Sequence, residues 1–348
     1  MLMVIFGAGA SYDSDPSNQP TRSGAKDPNR PPLANELFDD RPQFRTELAR
    51  FPQCAPLVPR LRHPPAGVTI EQVLEQHRDE SDSPVNPDRE RVKQLAAVQF
   101  YLQAAIERCS TAWDASTNGI TNYATLLDDI RHFGNRCPTL VTFNYDLLLE
   151  GALRRLTGWV PDNIGQYVDG GPGTLVKLRG SVDWGRVVYG MQPDTQGDPD
   201  QIATGLIQNA AALELTEDYR LVHTRSPVEQ DGTQMLFPAI AIPFQNKTRF
   251  ACPPEHIQAL TRRLEQTTHV LVIGWRALDR TFSALLRRHL PTQPKMQIIC
   301  GPADGEAVQT ALRQAGVRAE IQILERTFSS YVLSRAGHEF LAEAGRVG

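Results

Sequence analysis

The chain has 348 residues, 41% hydrophobic and 22% charged, with 36 Lys and Arg against 40 Asp and Glu. That length holds one large domain or two smaller ones, each with a full core. The net charge of −4 leaves no footprint for wholesale nucleic-acid binding, and no apolar run reaches the length of a membrane span.

Taken in chain order, the first predicted element is a strand, Leu2–Phe6, which runs into Gly7-Ala8-Gly9-Ala10-Ser11. It lacks the basic region and cleavage site of a signal peptide, so it reads as a core strand, and a cytoplasmic placement is expected. Small residues at the carboxyl end of a strand let backbone approach a pyrophosphate and hold it on N–H groups, though they also serve tight turns. Tyr12 to Pro32 is rich in Ser, Asp, Asn, Pro and Gly without apolar period, as in a long loop that covers a cofactor. Leu33 to Phe133 turns helical: Val68–Leu74 with Thr69 near its start, Pro87–Trp113 with Val92, Leu95, Val98, Leu102 and Ile106 three and four apart, and Gly119–Phe133.

From there the pattern alternates. Strands are expected at Thr139–Phe143, Leu175–Leu178, Leu236–Ile242, Val270–Gly274, Met296–Cys300 and Ala319–Leu324. Helices are expected at Asp146–Leu156, Pro254–Gln266, Asp279–Leu290 and Gly305–Ala315. Gly185 to Glu217 reads as a surface excursion with a small helix at Gln201–Leu213. Nearly continuous apolar strands between amphipathic helices predict an α/β, doubly wound Rossmann-like parallel sheet with an inserted helical module. The expected segments are 1–32 (first strand, glycine loop and covering loop), 33–135 (helical insertion) and 136–348 (the remainder of the sheet domain).

Cys54, Cys109, Cys137, Cys252 and Cys300 are scattered, odd in number and without a CxxC pair. They read as reduced thiols, with no structural zinc ribbon and no metal site expected.

Two further blocks end apolar runs: Thr142-Phe143-Asn144-Tyr145-Asp146 and Lys177-Leu178-Arg179-Gly180-Ser181-Val182-Asp183-Trp184. Asn144 stands at the ligand-facing edge of such a sheet, and its carboxamide suits ribose hydroxyls or a water. Asp146 either caps the next helix or takes part in catalysis. Phe143 and Tyr145 read as core. Gly274-Trp275 falls at the same edge and either approaches a ribose or phosphate or is a strand-ending glycine with a packing Trp. Lys247 and Arg249 either meet phosphate or are solvated.

With Arg30-Pro31-Pro32-Leu33-Ala34-Asn35-Glu36-Leu37, Ile242-Pro243 followed by Lys247, and Ile273-Gly274-Trp275, these blocks resemble the sirtuin-like NAD-consuming family. The resemblance is to its prokaryotic antiphage-defence branch, and it spans the chain to about residue 280. It implies NAD+ as substrate, cleaved to nicotinamide and ADP-ribose by a defence effector. It also implies work in a homo-oligomer or with a partner chain such as an ATPase or an Argonaute-like sensor. By this resemblance Gly7, Ala8, Gly9, Ala10, Ser11, Asn144, Asp146, Gly180, Ser181, Gly274 and Trp275 bind the dinucleotide, and Asn144 and the residue at 179 are catalytic. The four-cysteine zinc module of protein-deacetylating members is missing. Arg179 stands where the family has its catalytic histidine, and guanidinium, with a pKa above about 12, cannot act as a base. Three readings therefore stand: an NADase that depends on Asn144 and positioning, an inactive NAD- or ADP-ribose-binding subunit, or an Arg substituted for the natural residue.

Overall fold

The computed structural model describes residues 1–20, 27–81, 88–191, 197–222, 226–229, 232–244, 249–301 and 304–347. Its strands are β1 Leu2–Phe6, β2 Thr139–Thr142, β3 Thr174–Lys177, β4 Gly180–Tyr189, β5 Glu214–Leu221, β6 Leu236–Ile240, β7 His269–Ile273, β8 Lys295–Cys300 and β9 Glu320–Glu325. By compactness the chain divides into two units: 1–27, 112–179 and 247–348 form the first, 28–111 and 180–246 the second.

The first unit is built on a six-stranded sheet in the order β3-β2-β1-β7-β8-β9, with every neighbouring pair parallel. Numbered among themselves these strands run 3-2-1-4-5-6, the doubly wound order whose direction of winding reverses between β1 and β7. All five residues of β1 and of β7 are buried. Successive side chains point to opposite faces, so both faces are covered, and continuous apolar sequence is the result. The helices Pro254–Leu264, Gly305–Gln314, Phe328–Leu333 and His338–Val347 pack on β3, on β8 and β9, on β8, and on β1 respectively. The expected parallel α/β sheet is thus present, and the four helices expected among its strands lie within two residues of their expected ends. The last two helices were not anticipated.

A buried polar network ties the start of the helix Asn122–His132 to the chain just past β1. Asn122 Nδ2 donates to Asp13 O (2.6 Å) and Ser329 Oγ (2.8 Å), and Asn122 N donates to Ser14 O (2.8 Å). The Asp13 carboxylate in turn accepts from Ser329 N at 2.8 Å and Ser329 Oγ at 2.6 Å. Of the expected loop Tyr12 to Pro32, Asp13, Ser14 and Asp15 are buried, while residues 21–26 lie outside the described residues.

The second unit holds the helices Pro42–Arg50, Val58–Arg62, Ile70–Ser81 and Pro199–Asn209, most of Arg89–Thr117, and a three-stranded antiparallel sheet β5-β4-β6. Thr69 begins its helix as read: Thr69 Oγ1 accepts from Gln72 N, and Gln72 Oε1 accepts from Thr69 N, a reciprocal cap. The helix expected from Pro87 begins at Arg89, Pro87 itself lying outside the described residues. Phe100 meets Phe237 edge-on at 5.1 Å, and Gln99 and Gln103 side chains donate to Ile240 O and Val182 O.

Three expectations are corrected here. Leu236–Ile240 pairs antiparallel with β4 and is not a strand of the parallel sheet. Gly180-Ser181 is not a loop at a strand end but opens the ten-residue β4, with Gly180 in register with Ile240. Gly185 to Glu217 is not a surface excursion throughout, since Gly185–Tyr189 finishes β4 and Glu214 starts β5, while the small helix expected between them is present as Pro199–Asn209. The cause is shared: β5 buries only Tyr219 fully, so its sequence carries no apolar period, and pairing with distant β4 supplies the order.

Candidate site at the switch point of the sheet

At the carboxyl ends of β1 and β7 two glycine-bearing segments touch through backbone. Gly7 N donates to Ile273 O at 2.9 Å and Gly9 N to Gly274 O at 3.2 Å. A Cβ on Gly7 would lie 2.4 Å from Gly274 O, and one on Gly274 would lie 2.5 Å from Ala10 N. Gly274 has φ +62, a conformation that side chains disfavour. The smallness of Gly7, Gly9 and Gly274 is therefore explained by chain-on-chain packing at the switch point. The expected Gly7–Ser11 loop is in fact helical over Ala8–Tyr12, with Gly7 at its N-cap and no side-chain cap.

Asn144, two residues past β2, joins this corner. It is buried, and its Nδ2 donates to Gly7 O (3.0 Å), Ser11 Oγ (2.9 Å) and Tyr123 OH (3.1 Å). Gly7 O can only accept, which fixes the amide nitrogen inward. Asn144 Oδ1 takes no hydrogen bond among the described residues and is not among the sealed polar atoms. Ser11 Oγ and Tyr123 OH also bond each other at 2.9 Å. Burial holds the Tyr123 phenol well above its ordinary range, with the charge of Asp146 adding to the effect, so the hydroxyl keeps its proton at neutral pH.

Asp146 organises the turn into the helix Leu148–Thr157: its Oδ1 accepts from Leu148 N at 3.1 Å. Its carbonyl accepts from Lys177 Nζ at 2.5 Å, and the fully buried Lys177 pairs with Glu150 at 2.6 Å. Trp275 is a packing residue, 6% exposed. It stacks on Phe143 at 5.3 Å and meets Phe282 edge-on at 5.4 Å. Phe143 and Tyr145, expected in the core, are half-buried, because the chain leaves the sheet after Thr142.

Arg179 follows β3 and is 2% exposed. Its Nη2 pairs with the carboxylate of Asp279, and its Nη1 donates to Arg249 O at 3.3 Å. Asp279 is the N-cap of the helix Arg280–His289, its Oδ1 accepting from Phe282 N at 2.9 Å. Burial draws the guanidinium down to about 10, which leaves it protonated at neutral pH and neutralised by Asp279.

The structure thus brings Gly7–Ser11, Asn144, Gly274 and Trp275 together, places Asp146 and Arg179 at the same edge of the sheet, and puts Gly180 and Ser181 in the second unit. Lys247 lies outside the described residues. Two residues at this edge escaped the sequence reading. Tyr123 was visible only as an apolar helical position. Asp279 was visible only as a helix start, and nothing local announces a partner a hundred positions away. Among the described residues no group of three or more His, Cys, Asp or Glu side chains is placed to hold a metal, and no helix is long and apolar enough to cross a membrane.

No family model and no curated protein matches the chain. Among solved structures it is similar to a Sir2 homologue mutant in complex with ADP-ribose, at 13% identity over 99% of this chain and 90% of that one, with a TM-score of 0.38. A second such mutant–ADP-ribose complex is similar at 14% identity over 99% and 90%, with a TM-score of 0.38. A Sir2 homologue–NAD complex is similar at 14% identity over 99% and 88%, with a TM-score of 0.37.

Proposed function

We propose that this chain is a sirtuin-like protein that binds NAD+ at the carboxyl edge of its parallel sheet and hydrolyses it to nicotinamide and ADP-ribose. The observation that carries the reading is Asn144, whose amide nitrogen is tied to Gly7, Ser11 and Tyr123. That anchoring leaves its oxygen as the group offered to a ligand where doubly wound sheets collect dinucleotides. In the reaction, the bond from nicotinamide nitrogen to the ribose anomeric carbon breaks and the electron pair leaves with the now neutral nicotinamide. Water adds to the oxocarbenium-like carbon and releases one proton. Asn144 Oδ1 accepts from a ribose hydroxyl or from that water. Arg179, paired with Asp279, takes no proton, so the rate rests on positioning. Loss of a general base costs roughly 10²–10⁴-fold.

A second reading, an NAD- or ADP-ribose-binding subunit without turnover, is favoured by that Arg179–Asp279 pair. Resemblance of the Gly7–Ser11, Thr142–Asp146 and Lys177–Trp184 blocks to the antiphage branch adds a setting to either reading. There the chain acts in the cytoplasm as a defence effector, in a homo-oligomer or with an ATPase or Argonaute-like sensor chain, without zinc. Purified protein incubated with NAD+, alone and with candidate partner chains, tests this by nicotinamide release. Release that disappears in Asn144→Ala supports the enzyme, and ADP-ribose binding without release supports the subunit. Undiminished release in Asn144→Ala removes the site.

A further inference from the structure

We propose that Tyr123 is the positioning residue of this site, acting through Asn144; the assignment rests on the reading of Asn144 as a ligand-contacting residue. The amide nitrogen of Asn144 has two hydrogens and three acceptors around it: Gly7 O at 3.0 Å, Ser11 Oγ at 2.9 Å and Tyr123 OH at 3.1 Å. One hydrogen goes to the glycine carbonyl. The other is shared between two hydroxyls that are themselves 2.9 Å apart. All four heavy atoms belong to the first unit.

Either hydroxyl alone could rotate away from the amide. Together they hold each other, and the phenol cannot move, because its ring is fully buried edge-on against Phe6 at 5.1 Å and Phe328 at 5.6 Å. The residue before it is fixed as well, since Asn122 is bonded through both its backbone and its side chain to Asp13, Ser14 and Ser329. Gly7 O sets the polarity of the amide, with nitrogen inward and oxygen outward, and a rigid phenol on a pinned helix end holds the amide in that place. Supporting groups locked in this way determine whether a site residue presents its intended atom. The chemistry recognised at Asn144 is then a hydrogen-bond donor of the ligand complex, supplied by a ribose hydroxyl or by the attacking water.

Tyr123→Phe removes only the hydroxyl and keeps the ring contacts. Thermal unfolding close to the parent checks that the fold survives. ADP-ribose affinity by calorimetry and nicotinamide release from NAD+ are then measured in the parent, Tyr123→Phe, Asn144→Ala and the double variant. Loss of one neutral hydrogen bond predicts an effect of about fivefold. An effect on ADP-ribose affinity identifies the ribose hydroxyl as the donor, and an effect on kcat at unchanged affinity identifies the water. In either case Tyr123→Phe should change nothing further once Asn144 is Ala, a coupling that a purely structural phenol would not show. Parent-like affinity and turnover in Tyr123→Phe, or the same loss with and without Asn144, overturns the assignment. Failure of the parent protein to bind NAD+ or ADP-ribose, alone and with candidate partners, overturns the reading of the cleft itself.

Discussion

Replacing Arg179 by His separates a missing base from a cation held in place. Arg179 is 2% exposed and pairs with Asp279, itself 6% exposed. An imidazole there starts from about 6.5. Burial lowers it, while an opposite charge in contact raises it, and such charges shift a neighbour by about 1–3 units. If the imidazole keeps the Asp279 carboxylate as its partner, the charge holds it above its ordinary value. Because that lies above the unfolded value, the pair stabilises the fold fully below about pH 6.5, and its contribution, about 1.4 kcal/mol for each unit of the rise, is lost as pH climbs through the raised value. General-base chemistry needs the neutral ring and so runs the other way, with nicotinamide release climbing through the same interval. The assay is thermal unfolding together with nicotinamide release across about pH 5.5 to 9, for Arg179→His and for Arg179→His with Asp279→Asn. Removing the Asp279 charge should move both profiles down by about one pH unit. Profiles that coincide with and without the Asp279 charge would refute the reasoning.

Two further outcomes test the frame of the site. Gly274→Ala places a Cβ 2.5 Å from Ala10 N at φ +62 and should cost about 3 kcal/mol in denaturant unfolding; parent-like stability would show that the two backbones separate easily. His256, stacked on Tyr167 and bonded through Nε2 to Ile164 O at 3.0 Å, is drawn down to about 4 by burial. Its value is below the unfolded one, so stability should fall by about 3 kcal/mol as pH drops from about 6.5 to about 4. His256→Gln should flatten that slope in urea titrations, and an unchanged slope would assign it to other groups.

The parallel sheet was legible because a strand covered on both faces is nearly continuously apolar, as Leu2–Phe6 and, after His269, Val270 to Ile273 are. The antiparallel sheet was not. Glu214–Leu221 is mostly exposed or half-exposed, and its place is set by pairing with β4, which no local pattern encodes. At the site, Asn144 and Gly274 were legible from their position after strands. What each touches was not: the glycines meet each other, the phenol of Tyr123 is reached through a helix pattern that makes Tyr equivalent to Leu, and Arg179 finds its carboxylate on a separate element.

The strand β1 is laid down before both its neighbours and sits in the middle of its sheet, with Leu2 to Phe6 in register with His269 to Ile273. Likewise the helix Arg89–Thr117 offers Phe100 to a partner at Phe237. During synthesis these apolar surfaces emerge long before anything exists to cover them. Loop closure over such separations is slow, and the exposed intermediates invite aggregation. Expression at reduced temperature or with holdase chaperones should therefore raise the soluble yield of this chain more than changes to its surface would, because the hazard lies in the order of synthesis and not in the finished molecule.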